Sequence, residues 1–176
     1  AYPASNGYNS WFDRDEGSIG GLERPPQVTP ELWRLVVLFD GLAVLGALLI
    51  SPAFAALLTL YLLVSKAYSY DRIRLKKYPV VSTLVVVVFQ GAFTFLMTQV
   101  GAGAEPREIY SFDNLLLATV SSLFLCGSYP LTQVYQHQED RQRGDQTLSL
   151  LLGMRGTFVF AGLGLLAGAL LLGYAY

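Results

Sequence analysis

The sequence predicts an all-α fold, a polytopic bundle of membrane-spanning helices, and three observations carry that prediction. Hydrophobic residues make up 53% of the 176-residue chain and charged residues 14%, well below the roughly one quarter charged that is usual in soluble domains. The mean hydropathy is positive, at +0.42. Five apolar runs approach the roughly 17 to 25 residues that a helix needs to cross the hydrocarbon core. Hydrocarbon offers no hydrogen-bond partner to a bare backbone, so spanning segments are helices or closed barrels, and continuous apolar sequence selects helices.

The runs cover residues 33–50, 53–69, 80–100, 114–135 and 156–174. Thr29-Pro30-Glu31-Leu32 starts the first, with threonine as N-cap, proline at the first helical position and an acid in the first turn. This run contains Asp40 and the third contains Gln90; polar groups at depth are costly enough that both are expected to face the bundle interior. The second run is the shortest and carries Lys66, whose methylene stem lets the ammonium snorkel to the interface. Ser51-Pro52 is a tight connection that makes its flanking helices antiparallel neighbours. Gly101-Ala102-Gly103-Ala104-Glu105-Pro106 reads as a loop. Pro130 predicts a kink or break, after which residues 133–140 extend as helix toward the surface. Gly162, Gly164 and Gly168 permit close helix packing in the fifth run. Cys126 is the single cysteine, so no disulfide is possible and it reads as an inert buried thiol.

The chain reads as a single integral-membrane domain over residues 1–176, and as a fragment with helices missing at both ends. It opens on Ala1 with no signal-peptide pattern. If all five runs span, residues 1–32, 70–79 and 136–155 share one side, while Ser51-Pro52 and residues 101–113 lie on the other. Arg107 is the lone basic residue of the second side, whereas the first holds the loop Asp71-Arg72-Ile73-Arg74-Leu75-Lys76-Lys77. The positive-inside rule then turns the first side to the cytoplasm, with the plasma (inner) membrane as the expected location. The net charge of −1 says little about partners, and no nucleic acid is expected among them.

Two acidic stretches fall on that cytoplasmic side. In Asn9-Ser10-Trp11-Phe12-Asp13-Arg14-Asp15-Glu16, read as a helix end, Asn9 and Asp13 are four apart and share a face, with Glu16 three further on. Gln136 and Asp140 repeat the four-residue spacing, with Glu139 on an adjacent stripe. Magnesium takes oxygen ligands, usually one or two carboxylates plus phosphate oxygens and waters. Two such oxygen-rich helix ends facing each other can hold metal and a diphosphate, with Arg72, Arg74, Lys76 and Lys77 as a cationic clamp. Each element also has a plainer reading: solvated loop acids, and a basic loop that only sets topology. His137 reads as a helix-end residue rather than a metal ligand, since the sequence has no second histidine.

These residues carry a resemblance. The Asn9-to-Asp15 stretch, the Tyr68-Ser69 to Arg74-Leu75-Lys76 loop, and Glu139-Asp140-Arg141-Gln142-Arg143-Gly144-Asp145-Gln146-Thr147-Leu148 followed by Leu152-Gly153 together resemble the UbiA superfamily of intramembrane prenyltransferases. Asn9, Asp13, Asp140, Arg141, Gly144, Thr147 and Gly153 match its two motifs in order and spacing, and the likeness covers nearly the whole chain. Gly17 and Gln136 stand where the family pattern has acids.

The resemblance implies a nine-helix bundle with both motifs at the cytoplasmic mouth of a cavity. The five runs here would be its third to seventh helices, and this fragment alone is expected to be inactive. It further implies magnesium-dependent transfer of an isoprenyl group from an isoprenyl diphosphate to a lipophilic acceptor, aromatic ones included, in the lipid bilayer. Asp13 and Asp140 would be the catalytic metal ligands, supported by Asn9, Asp15, Glu16, Gln136 and Glu139. Asn9, Tyr68, Arg72, Arg74, Lys76 and Arg141 would meet the diphosphate, and Tyr68 or Phe12 could shield a developing cation. The alternative is a non-catalytic membrane protein of the same fold, which the departures at Gly17 and Gln136 favour. A transporter would spread polar residues through the bundle, soluble isoprenyl synthases lack long apolar spans, and the denser acidic signature of CDP-alcohol transferases is absent.

Overall fold

A computed structural model describes residues 1–14 and 26–176. Every regular element among the described residues is helical. Five helices are long and apolar enough to cross a membrane: Pro30–Ile50, Pro52–Ser69, Pro79–Gly101, Phe112–Arg143 and Leu148–Ala175. All five expected runs are recovered. The chain divides into two compact units, Ala1–Leu75 and Lys76–Tyr176.

The first unit contains α1 (Tyr2–Asp13), α2 (Pro30–Ile50) and α3 (Pro52–Ser69), each packed against the other two. Ala4 and Tyr8, one turn apart on α1, bury against Val36 of α2, flanked by Phe12, Leu32 and Tyr70. Gly7 lets the two helices close up, since a Cβ there would stand 2.9 Å from Val36 Cγ2. Arg14 ends α1 in the left-handed region, φ 47°, and its N–H returns to the carbonyl of Ser10. Thr29 occupies the predicted N-cap of α2. Ser51 makes the tight connection and caps α3, its Oγ accepting from the Phe54 N–H at 3.0 Å.

The second unit begins with α4 (Pro79–Val85), which continues through a π-helical segment (Val86–Phe93) into α5 (Thr94–Gly101). Gly91, at φ −89° and ψ −108°, leaves helical geometry inside the π segment. Ser122 fills the gap: its Oγ donates to the Val87 carbonyl at 2.8 Å and accepts from the Ala92 N–H at 3.0 Å. A short α6 (Pro106–Ile109) leads to α7 (Phe112–Gln133), a 3-10 turn (Val134–Gln136), α8 (His137–Arg143) and α9 (Leu148–Ala175). Helices α7 and α9 meet where Gly127 faces Gly164. A Cβ on Gly127 would lie 2.8 Å from the Ala161 carbonyl oxygen, so only glycine allows this approach.

Lys66 pairs with Asp40 across α2 and α3, which gives its ammonium a counter-ion within the first unit. Gln90 is exposed and lies in the π segment, where i→i+5 bonding changes the angle between successive side chains. Pro130 is buried inside α7, and the expected interruption follows one turn later: α7 ends at Gln133, a 3-10 turn intervenes, and helix resumes at His137. Helix α1 spans Tyr2–Asp13 and is capped by Arg14; the readings made of Asp15 and Glu16 lie outside the described residues.

Candidate functional site

In the first unit, the end of α1 and the end of α3 with its following turn bring the first motif and part of the basic loop together. Asn9 and Asp13 occupy successive turns of α1. Asn9 Oδ1 accepts from Ser69 Oγ at 2.6 Å, and Ser69 is 1% exposed. Asp13 is 5% exposed, and a carboxylate that buried needs a counter-charge. Arg74 supplies one, its Nη2 standing 3.6 Å from Asp13 Oδ1. The same guanidinium donates through Nη1 to Asp71 at 3.0 Å. Arg74 takes this position at φ 42°, in the left-handed region, so the turn after α3 holds a strained backbone to present the guanidinium.

Aromatic rings surround this polar end. Phe12 stacks on Tyr8 with centroids 4.9 Å apart and meets Tyr70 edge-on at 5.6 Å. Trp11 and Trp33 lie 5.5 Å apart. Lys66 Nζ sits 5.0 Å above the Tyr8 ring, within cation–π range. Burial, reinforced by nearby Tyr70, Asp71 and Asp40, pushes the Tyr8 phenol up, so a neutral ring faces the ammonium. Tyr68 is half-buried on α3, and Arg72 is exposed in the turn.

In the second unit, the second motif lies on α8 and in the turn leading to α9. Gly144, at φ 74°, closes α8: its N–H returns to the Arg141 carbonyl and the Asp145 N–H to the Asp140 carbonyl, the pairing of a Schellman motif. Thr147 caps α9 by accepting from the Leu150 N–H at 3.4 Å, and its hydroxyl donates to Asp140 Oδ2 at 3.2 Å. Lys77, at the end of the basic loop, accepts the Gln146 N–H on its carbonyl at 3.2 Å. Gln136, Glu139 and Lys76 are half-buried, and Arg141 is exposed. His137 is hydrogen-bonded to Ser149 at 2.6 Å.

The donors suit a hard divalent cation. In the first unit Asn9 and Asp13, and in the second Glu139 and Asp140, would ligate through oxygen, and Asp13 is a buried carboxylate already matched to positive charge. Among the described residues, no three side chains of the His, Cys, Asp and Glu types cluster. Sequence reasoning missed Ser69 as the partner of Asn9 and Ser149 as the partner of His137. The signal available for Ser69 was polarity at the end of an apolar run.

A digeranylgeranylglyceryl phosphate synthase of Methanothrix thermoacetophila is 28% identical over 172 residues, 94% of this chain and 60% of that protein. The chain thus spans about 60% of the length of the curated relative it matches. No solved structure matches it. The model of the UbiA prenyltransferase family matches residues 1–176, and with a match across every helix and both motif helices this integral membrane chain belongs to the UbiA prenyltransferase family.

Proposed function

We propose that the protein transfers an isoprenyl group from an isoprenyl diphosphate to a lipophilic acceptor in the bilayer, with Mg²⁺ as cofactor. The observation that carries this reading is Asp13, buried on α1 one turn beyond Asn9 and faced by Arg74 at 3.6 Å. A buried carboxylate beside a guanidinium offers a hard oxygen ligand and a phosphate partner at one helix end. Family membership supports the same reaction class.

In this reading Asn9 and Asp13 of the first motif, and Glu139 and Asp140 of the second, are metal ligands, with Asp15, Glu16 and Gln136 as further oxygen donors of the two motifs. Bound Mg²⁺ would neutralise charge on the departing diphosphate. Arg72, Arg74, Lys76 and Arg141 bind phosphate oxygens, stabilising negative charge as the allylic carbon–oxygen bond breaks. The aromatic faces of Phe12 and Tyr68 stabilise positive charge on the allylic carbon. The acceptor's nucleophile bonds to that carbon and loses its proton, and diphosphate leaves. The charge asymmetry of the loops supports a cytoplasmic orientation of both motifs at the inner membrane.

The relative's name adds a glyceryl phosphate lipid to the acceptors worth assaying, alongside quinone precursors. The second reading, a non-catalytic protein of this fold, is favoured by Gln136 and Gly17 in place of acids. Asp13→Ala and Asp140→Ala in the intact protein decide between the two. Each is expected to abolish Mg²⁺-dependent transfer of labelled prenyl groups; unchanged turnover would overturn the proposal.

A further inference from the structure

Helix α9 is broken near its start. Gly153 adopts φ 66° and ψ 171°, a region essentially confined to glycine. In an unbroken helix, residues eight apart are separated by about 12 Å along the axis. Here Ser149 and Thr157 touch: Thr157 Oγ1 lies 3.0 Å from Ser149 Oγ and 3.3 Å from its carbonyl oxygen, and donates to the Gly153 carbonyl at 2.8 Å. Both hydroxyls are fully buried, at 0% exposure.

The chain of contacts runs on into α8. Ser149 Oγ is bonded to His137 Nε2 at 2.6 Å, and the Ser149 N–H donates to Gln133 Oε1 at 3.2 Å. His137 is the first residue of α8, and Asp140 lies three residues along the same face. Thr147, two residues before Ser149, holds Asp140 Oδ2 directly. The start of α9 therefore grips α8 at both His137 and Asp140, and the break at Gly153 lets Thr157 fix the inner end of that grip.

We infer that Thr157, Ser149 and His137 are positioning residues, a buried relay through which broken α9 sets the orientation of the Asp140 carboxylate toward a bound metal and diphosphate. This rests on the assignment of Asp140 as a metal ligand. None of the three need touch substrate. Their effect passes through the angle of α8, as partners behind a ligand commonly tune a site.

The test uses the intact protein, with labelled inorganic pyrophosphate as probe, in equilibrium dialysis across a Mg²⁺ titration. Thr157→Val, which keeps the shape and removes the hydroxyl, and Ser149→Ala are each expected to raise the Mg²⁺ concentration for half-maximal retention by about 10- to 100-fold. Thr157→Ser should restore it. His137→Gln, at the half-buried end of the relay, decides the matter if Thr157→Val fails to fold. Gln99→Leu is the structural control: it breaks the paired amides of Gln99 and Asn114, 2.7 and 2.8 Å apart, and should lower thermal stability without moving the Mg²⁺ midpoint. Asp140→Asn separates the two levels. If it leaves retention unchanged, the metal assignment falls; if it lowers retention while the relay variants that fold match the unsubstituted protein, the relay falls alone.

Discussion

Lys66 of α3 and Asp40 of α2 form an ion pair within two membrane-spanning helices, and the same ammonium lies over the ring of Tyr8 on α1. One lysine thus joins the three helices of the first unit. It sits three residues before Ser69, whose hydroxyl holds Asn9.

Removing one charge leaves the other partly buried and uncompensated. Lys66→Met or Asp40→Leu alone is expected to destabilise the protein by about 1–3 kcal/mol, whereas the double replacement should recover most of the loss. Thermal unfolding of the detergent-solubilised variants checks this, and additive losses would contradict it.

Arg74 combines a left-handed backbone with a guanidinium that faces Asp13. At φ 42° a glycine is conformationally easier than any residue with a Cβ, so Arg74→Gly should be more stable than Arg74→Ala by about 1–2 kcal/mol. Both variants lose the guanidinium facing Asp13 and should lose transfer alike. Stability and turnover measured on the same two preparations give the comparison.

Gly153 and Gly127 are needed for different reasons. Nothing lies within 4 Å of a Cβ at Gly153, so Gly153→Ala should cost only its backbone strain, about 1–3 kcal/mol. At Gly127 the added carbon meets Ala161 and Leu165 backbone atoms 2.8 Å away, and Gly127→Ala must push α7 from α9. Gly162 has open space and ordinary φ, so Gly162→Ala should be near neutral. The expected order of melting temperature is Gly162→Ala highest and Gly127→Ala lowest.

The chain has two tryptophans, Trp11 and Trp33, 5.5 Å apart beside the first motif. Trp11 lies between Asn9 and Asp13 on α1. Mg²⁺ with pyrophosphate should therefore change intrinsic emission, and Asp13→Asn should suppress the change. A response that survives Asp13→Asn would show that the probe binds elsewhere.

The spans were legible because membrane insertion demands long apolar stretches and leaves little room for another reading. Ser51-Pro52 and Thr29-Pro30 were legible too, since caps and proline act locally. The motif residues could be named from their spacing, but not what holds them. Ser69 meets Asn9 across 60 residues of chain, and no local pattern encodes such a contact. Ser149 meets Thr157 only because one glycine takes a dihedral angle that composition does not reveal.

The π segment of the third span has a consequence for how this chain is compared with others. Closing i→i+5 accommodates an inserted residue within a helix without ending it, so residues on the two sides of 86–93 keep different rotational phase. Aligning the third span to a straight-helical counterpart calls for a one-residue gap inside that segment. Without it, every position from Thr94 to Gly101 would be equated with the wrong face of its counterpart.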